Sequence, residues 1–132
     1  MDQPRLTFSP AHRLKLQRDF DRVYRSKLVK RMGPVRIHAA LNDLPHNRLG
    51  MSVGRRVGNA AVRNRIRRLI RESFRLLQHD LPQGYDLVVV VLSHAPLPLA
   101  EYQQMLRRAM ASLAQRNDPP SPPPSPPALG NA

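Results

Sequence analysis

Apolar residues recur along this chain with two different periods, and each change of period marks a change of element. In "QRDFDRVYRS", Phe20, Val23 and Tyr24 fall at helical spacing, with Arg18, Arg22 and Arg25 on the other face. "KLVKRMGP" reads as a short edge strand entering a turn at Gly33-Pro34. "VRIHAAL" alternates, which predicts Val35, Ile37, Ala39 and Leu41 on one side and Arg36, His38 and Ala40 on the other. After the turn cluster "NDLPHN", "RLGMSV" alternates again through Leu49, Met51 and Val53. The helical period returns from Asn59 and is stopped by Pro82 and Gly84. "YDLVVVVLS" is a continuous β-branched run, the pattern of a strand covered on both faces. Beyond "HAPLP", Leu99, Tyr102, Leu106, Ala109 and Leu113 mark a last amphipathic helix.

The predicted order is therefore α-β-β-β-α-β-α, an α/β (α+β) sandwich whose middle helix crosses between two central strands. A chain of 132 residues has room for one modest core. Residues 1–116 are assigned to a single domain. The remainder, "NDPPSPPPSPPALGNA", holds seven of the fourteen prolines and is expected to be an extended, solvated tail, a spacer rather than a ligand for a proline-recognising groove.

Charge adds what the periods cannot. The net charge is +13, and nineteen arginines stand against three lysines. Arginine presents a planar fork of donors that matches phosphate oxygens and base edges. A small domain this basic most often binds nucleic acid; membrane surfaces and acidic proteins are the alternatives. The absence of cysteine excludes disulfides and cysteine-ligated zinc. The N-terminus lacks the apolar segment of a secretory signal, and "LVVVVL" is too short to cross a bilayer, so a cytoplasmic location is expected.

The charge is concentrated in "GRRVGNAAVRNRIRRLIRESFR", with eight arginines and one acid, Glu72. At 100° per residue, Val62, Ile66, Leu69, Ile70, Phe74, Leu76 and Leu77 share an arc of about 160°. Asn64, Arg67, Arg68, Arg71 and Arg75 fall opposite. Arg65 flanks the apolar arc and Arg63 lies inside it, near enough to the helix start to project past the end. Gly58 permits close backbone approach and Asn59 is a good N-cap. The positive end of the helix dipole then adds to Arg55, Arg56, Arg63 and Arg65 as a site for phosphates. A merely solvated face would mix charges of both signs.

Candidates for protein-based catalysis are poor. Asp19 and Asp21 are the only close acidic pair, and at i, i+2 they point to different sides of a helix. The five histidines are scattered in sequence, and His12, His46, His79 and His94 are expected in loops or on the surface. No catalytic residue and no protein-held metal is expected.

The segment "SVGRRVGNAAVRNRIRRLIRESFR", with "RNR" at residues 63–65, resembles the signature of the bacterial ribonuclease P protein subunit. The likeness runs from "HRLKLQRDFDRVYRS" through "RLGMSV" to "GYDLVVVV". It implies a ribonucleoprotein that removes the 5′ leader of precursor tRNA, in which an RNA subunit catalyses hydrolysis with Mg2+ and the protein assists. It also implies a left-handed β-α-β crossover, against the general right-handed rule. Carried over residue by residue, contact with the RNA subunit falls on Arg55, Arg56, Asn59, Arg63, Asn64, Arg65, Arg67, Arg68 and Arg71. A cleft between the first helix and the sheet would hold the single-stranded leader, with Phe20, Tyr24, Arg36 and His38 as its residues. The expected partners are that RNA subunit and precursor tRNA, with no membrane and no obligate protein partner. Two departures stand out: "VRIHAAL" lacks the aromatics its relatives carry there, and Gly54 and Arg56 replace their serine and lysine. The rivals are a structural RNA-binding protein of the ribosomal type and a DNA-binding protein with the arginine helix in a major groove.

Overall fold

The computed structural model describes residues 8–117; the proline-rich tail assigned to 117–132 lies, but for its first residue, outside them. The elements are α1 (Gln17–Arg25), β1 (Leu28–Met32), β2 (Val35–Leu41), β3 (Arg48–Val53), α2 (Ala60–Leu77), β4 (Tyr85–Val91) and α3 (Leu99–Asn117). Short 3-10 turns at Pro10–His12 and Arg55–Val57 precede α1 and α2. This is the order the two periods predict.

Four strands form one sheet in the order β1-β2-β4-β3. Gly33 sits at φ 56° in the turn that pairs Met32 with Val35, a left-handed position that glycine takes without penalty. β2 and β4 run antiparallel, while β3 and β4 run parallel, Leu49 beside Leu87 and Val53 beside Val91. Parallel neighbours need a long crossover, and α2 supplies it.

The two faces of the sheet are covered unequally. α2 and α3 pack on one face around Ile37, Ile66, Ile70, Phe74, Leu87, Tyr102, Leu106, Met110 and Leu113, all buried. α1 covers a smaller area of the other face, where Val23 meets Leu14, Ala40 and Val88. This explains why β4 is apolar almost throughout. It also corrects the reading of β2: Ala40, predicted to face outward, is buried under α1, whereas Leu41, predicted to face the core, is 54% exposed. Leu41 is the last residue of its strand and has run past the helical layer.

The small apolar patch under α1 is supplemented by a buried carboxylate. Asp86 of β4 is fully buried and pairs with Arg22 of α1. It also accepts from Arg48 Nε and Nη2 of β3 at 2.7 Å and from Asn42 Nδ2 at 2.9 Å. Burial pushes the Asp86 carboxyl up, but the hydrogen bonds from Arg48 and Asn42 and the charges of Arg48 and Arg22 outweigh it, holding the group below the usual carboxylate range. Closeness is made possible by Gly50: a Cβ there would stand 2.7 Å from the Phe20 ring and 3.1 Å from Leu14 Cβ.

Candidate nucleic-acid interface

α2 begins where the parallel strand β3 ends, and its first turn is fixed by its own sequence. Asn59 is the N-cap, its side chain accepting from Val62 N at 2.9 Å. Gly58 has no room for a side chain, since a Cβ would lie 2.9 Å from Val62 Cγ1. The helix buries Ile66, Ile70, Phe74 and Leu77, which turns Asn64, Arg65 and Arg68 to solvent. Arg63, which the angular arithmetic puts within the apolar arc, folds back so that Nε donates to Gly58 O at 3.2 Å. Its guanidinium therefore sits at the helix start beside the exposed Arg55 and Arg56. Arg67 Nη1 donates to Asn64 Oδ1 at 2.9 Å. Glu72, the one acid of the segment, is engaged by Arg75 at 2.6 Å. The remaining arginines of this face thus keep a common sign. Next to Arg55 and Arg56, a groove of about 410 Å³ runs between the ends of β3 and β4.

The four residues assigned to the cleft beside α1 do not all meet. Tyr24, 39% exposed, stands edge-on to the His38 ring at 5.0 Å. His38 Nε2 in turn accepts from Arg36 Nε at 3.0 Å. Burial, and then the charge of Arg36, hold the imidazole below its usual range, in the neutral form such an acceptor requires. Tyr24, His38 and Arg36 are therefore one connected surface across α1 and β2. Phe20 points elsewhere: its ring lies over Gly50 of β3 and lines a cavity shared with Arg67 and Arg71. At i, i+4 both aromatics share a helix face, but the central strand β4 lies between their destinations on β3 and β2.

Two groupings were not visible in the sequence. Three of the scattered histidines converge: His12 and His46 have ring centroids 5.2 Å apart, and His79 lines the same small cavity. Burial, then the neighbouring His46 and His79, lower the pKa of His12. The second grouping is Phe8 and Arg13 against Arg67 and Arg71. Its residues come from segments far apart in the chain, and neither Phe8 nor Arg13 belongs to a periodic element that would have drawn notice.

Comparison with known proteins agrees with this architecture. A family model described as Ribonuclease P matches residues 8–114. The ribonuclease P protein component of Syntrophobacter fumaroxidans is 45% identical over 84 residues, covering 64% of this chain and 71% of that protein. The Roseiflexus castenholzii component is 37% identical over 105 residues, covering 75% and 86%. Among solved structures, the ribonuclease P protein of Thermotoga maritima superposes with a TM-score of 0.68 at 26% identity, covering 76% of this chain and 96% of the other. On the match to most of its length and the shared arrangement of sheet and helices, this chain belongs to the ribonuclease P protein family.

Proposed function

We infer that the chain serves ribonuclease P as its protein subunit, binding the catalytic RNA and the 5′ leader of precursor tRNA and so promoting removal of that leader. The observation that carries this reading is the arginine face of α2. Its one acid is committed to Arg75, so the other guanidiniums are left with a net charge that phosphates would neutralise. Contact with the RNA subunit is assigned to Arg55, Arg56, Asn59, Arg63, Asn64, Arg65, Arg67, Arg68 and Arg71. The connected surface of Tyr24, His38 and Arg36 is assigned to the leader, whose unpaired bases can stack on an exposed ring or a guanidinium plane. Phe20 is assigned to the leader as well, although its ring turns to Gly50 of β3 rather than into this surface.

Hydrolysis is assigned to the RNA, with Mg2+ held by RNA and substrate oxygens. Mg2+ wants several hard oxygen ligands in octahedral array. The carboxylates nearest the interface do not fit that need, because Asp86 is surrounded by Arg22, Arg48 and Asn42, and Glu72 by Arg75. The protein's part is then to hold two RNAs in register, which lowers the barrier through positioning.

The test is cleavage of precursor tRNA at low magnesium by a bacterial ribonuclease P RNA, with and without this protein, and with the protein alone. Cleavage at the mature 5′ end that depends on both components is the expected result. Tight RNA binding without stimulation would favour a structural RNA-binding role instead.

A further inference from the structure

Residues 8–14 run along β3, which is the outermost strand on its side of the sheet. Leu14 N donates to Leu49 O at 3.0 Å, and Arg13 bridges the same residue in parallel register. Further back, the Phe8 ring stands edge-on to Phe74 of α2 at 5.8 Å. An open strand edge is a row of unpaired backbone groups, so what keeps this cover in place matters. Between its anchors the chain makes the 3-10 turn Pro10–His12, and His12 closes that turn. His12 Nδ1 accepts from Ser9 N at 3.1 Å, while the His12 backbone N–H donates to Ser9 O at 2.9 Å. Only a neutral imidazole, with its proton on Nε2, can accept at Nδ1.

The surroundings of His12 favour that neutral form. His46, from the loop between β2 and β3, presents its ring 5.2 Å away, and its Nε2 donates to Ala11 O at 3.1 Å. His79, just past α2, lines the same cavity of about 90 Å³. Among the described residues no acid lines it, neither Asp43 nor Asp80, and Arg13 is turned away over the Phe8 ring. The amides of Asn47, Gln78 and Gln83 in the lining already donate to the carbonyls of Pro82, Arg75 and Gln78. A proton added to His12 Nδ1 turns an acceptor into a donor. The Ser9 hydroxyl, 3.1 Å from that nitrogen, can take it, but the Ser9 N–H then loses its partner. His46 Nε2 is a donor in both forms, so its bond to Ala11 survives protonation and its charge acts on His12 by repulsion.

We propose that His12, His46 and His79 form an acid-sensitive clasp. Neutral, they pin residues 8–14 against β3; protonated, they release that segment and bare both the edge of β3 and the side of α2 that Phe8 covers. The direction of the effect is fixed by linkage. Burial, then His46 and His79, lower the pKa of His12, so the docked form takes its proton at a lower pH than a released histidine, about 6.5. Docking is therefore complete above that value and weakens as pH falls below it, until the docked pKa is reached. The clasp involves no RNA and stands independently of the ribonuclease P reading.

The Leu14 amide reports the clasp, because its bond to Leu49 O joins the segment to β3. In the full chain, hydrogen exchange corrected for intrinsic rates should show Leu14 protection falling between about pH 7.5 and about pH 5.5, where histidine changes charge. The expected loss is about tenfold for each pH unit by which the docked pKa lies below the released one. Val89, in a strand paired on both sides, should keep its protection over the same range. His12→Gln retains an acceptor at the closing position of the turn and has no proton to gain, so its Leu14 protection should stay flat. His46→Gln should shrink the loss by withdrawing one of the repelling charges. Constant Leu14 protection in the parent would overturn the clasp. So would a loss of the parent's size in His46→Gln or in a docked His12→Gln, or a loss shared equally by Val89, which would mean that the whole domain unfolds. If His12→Gln does not dock at any pH, the His46→Gln comparison decides.

Discussion

Asp86 shows how much of this fold depends on single side chains placed out of reach of water. It carries the junction of α1, β3 and β4 through Arg22, Arg48 and Asn42. Asp86→Asn removes the charge but keeps the shape, stranding two guanidiniums. A loss of about 3 kcal/mol is expected in urea unfolding at neutral pH, toward the low end for a broken buried pair because Arg22 and Arg48 can turn to solvent. The pH dependence follows from the sign of the shift. The folded carboxyl ionises at a lower pH than an unfolded aspartate, about 3.9. Its contribution is therefore complete above that value and is lost as pH falls through the folded one. Stability measured below about pH 4 should fall less steeply in Asp86→Asn than in the parent. Gly50→Ala tests the opposite fault, excess volume. The added methyl collides with Phe20 and Leu14, and a loss of about 1–3 kcal/mol in thermal unfolding is expected.

At the scale of elements, α2 and α1 divide the work. α2 is rigidly seated by its buried stripe and its Asn59 cap, so its charges are presented at fixed spacing. Arg65→Ala should weaken binding to the RNA subunit more than Arg108→Ala, which removes an exposed charge from α3; filter binding at one salt concentration measures the difference. Equal losses would mean that bulk charge, not the placement of the helix, makes the contact. α1 rests on a smaller patch and offers Tyr24 and His38 as one surface. Tyr24→Ala should cost about 1–3 kcal/mol in affinity for leader-bearing precursor and nothing for leaderless tRNA, as expected for the loss of one stacking platform.

For the whole molecule, a charge of +13 on 132 residues opposes compaction through self-repulsion. Among the described residues the paired acids relieve it only locally, at Asp19, Asp86 and Glu72. Raising the salt from low ionic strength to about 0.15 M should therefore raise the midpoint of thermal unfolding while weakening RNA binding. The opposite signs of the two effects distinguish this chain from one stabilised by surface ion pairs, where salt would lower both. A flat unfolding midpoint across that range would show that the repulsion is already relieved within the fold.

The sequence alone determined the elements and their order, because the hydrophobic period of each segment is local and long enough to read. The arginine face of α2 was legible for the same reason: a helix turns 100° per residue whatever surrounds it. Its start was legible too, since Gly58 and Asn59 act on residues within the same turn. What tertiary structure decided is everything that joins distant segments. Only the fold buries Asp86 beneath α1, covers Ala40, exposes Leu41 and separates Phe20 from Tyr24 across β4. Only the fold gathers His12, His46 and His79, or sets Phe8 and Arg13 against Arg71. Periodicity records which face of an element is apolar; it carries no information about which other element will cover that face, and these contacts depend on that choice.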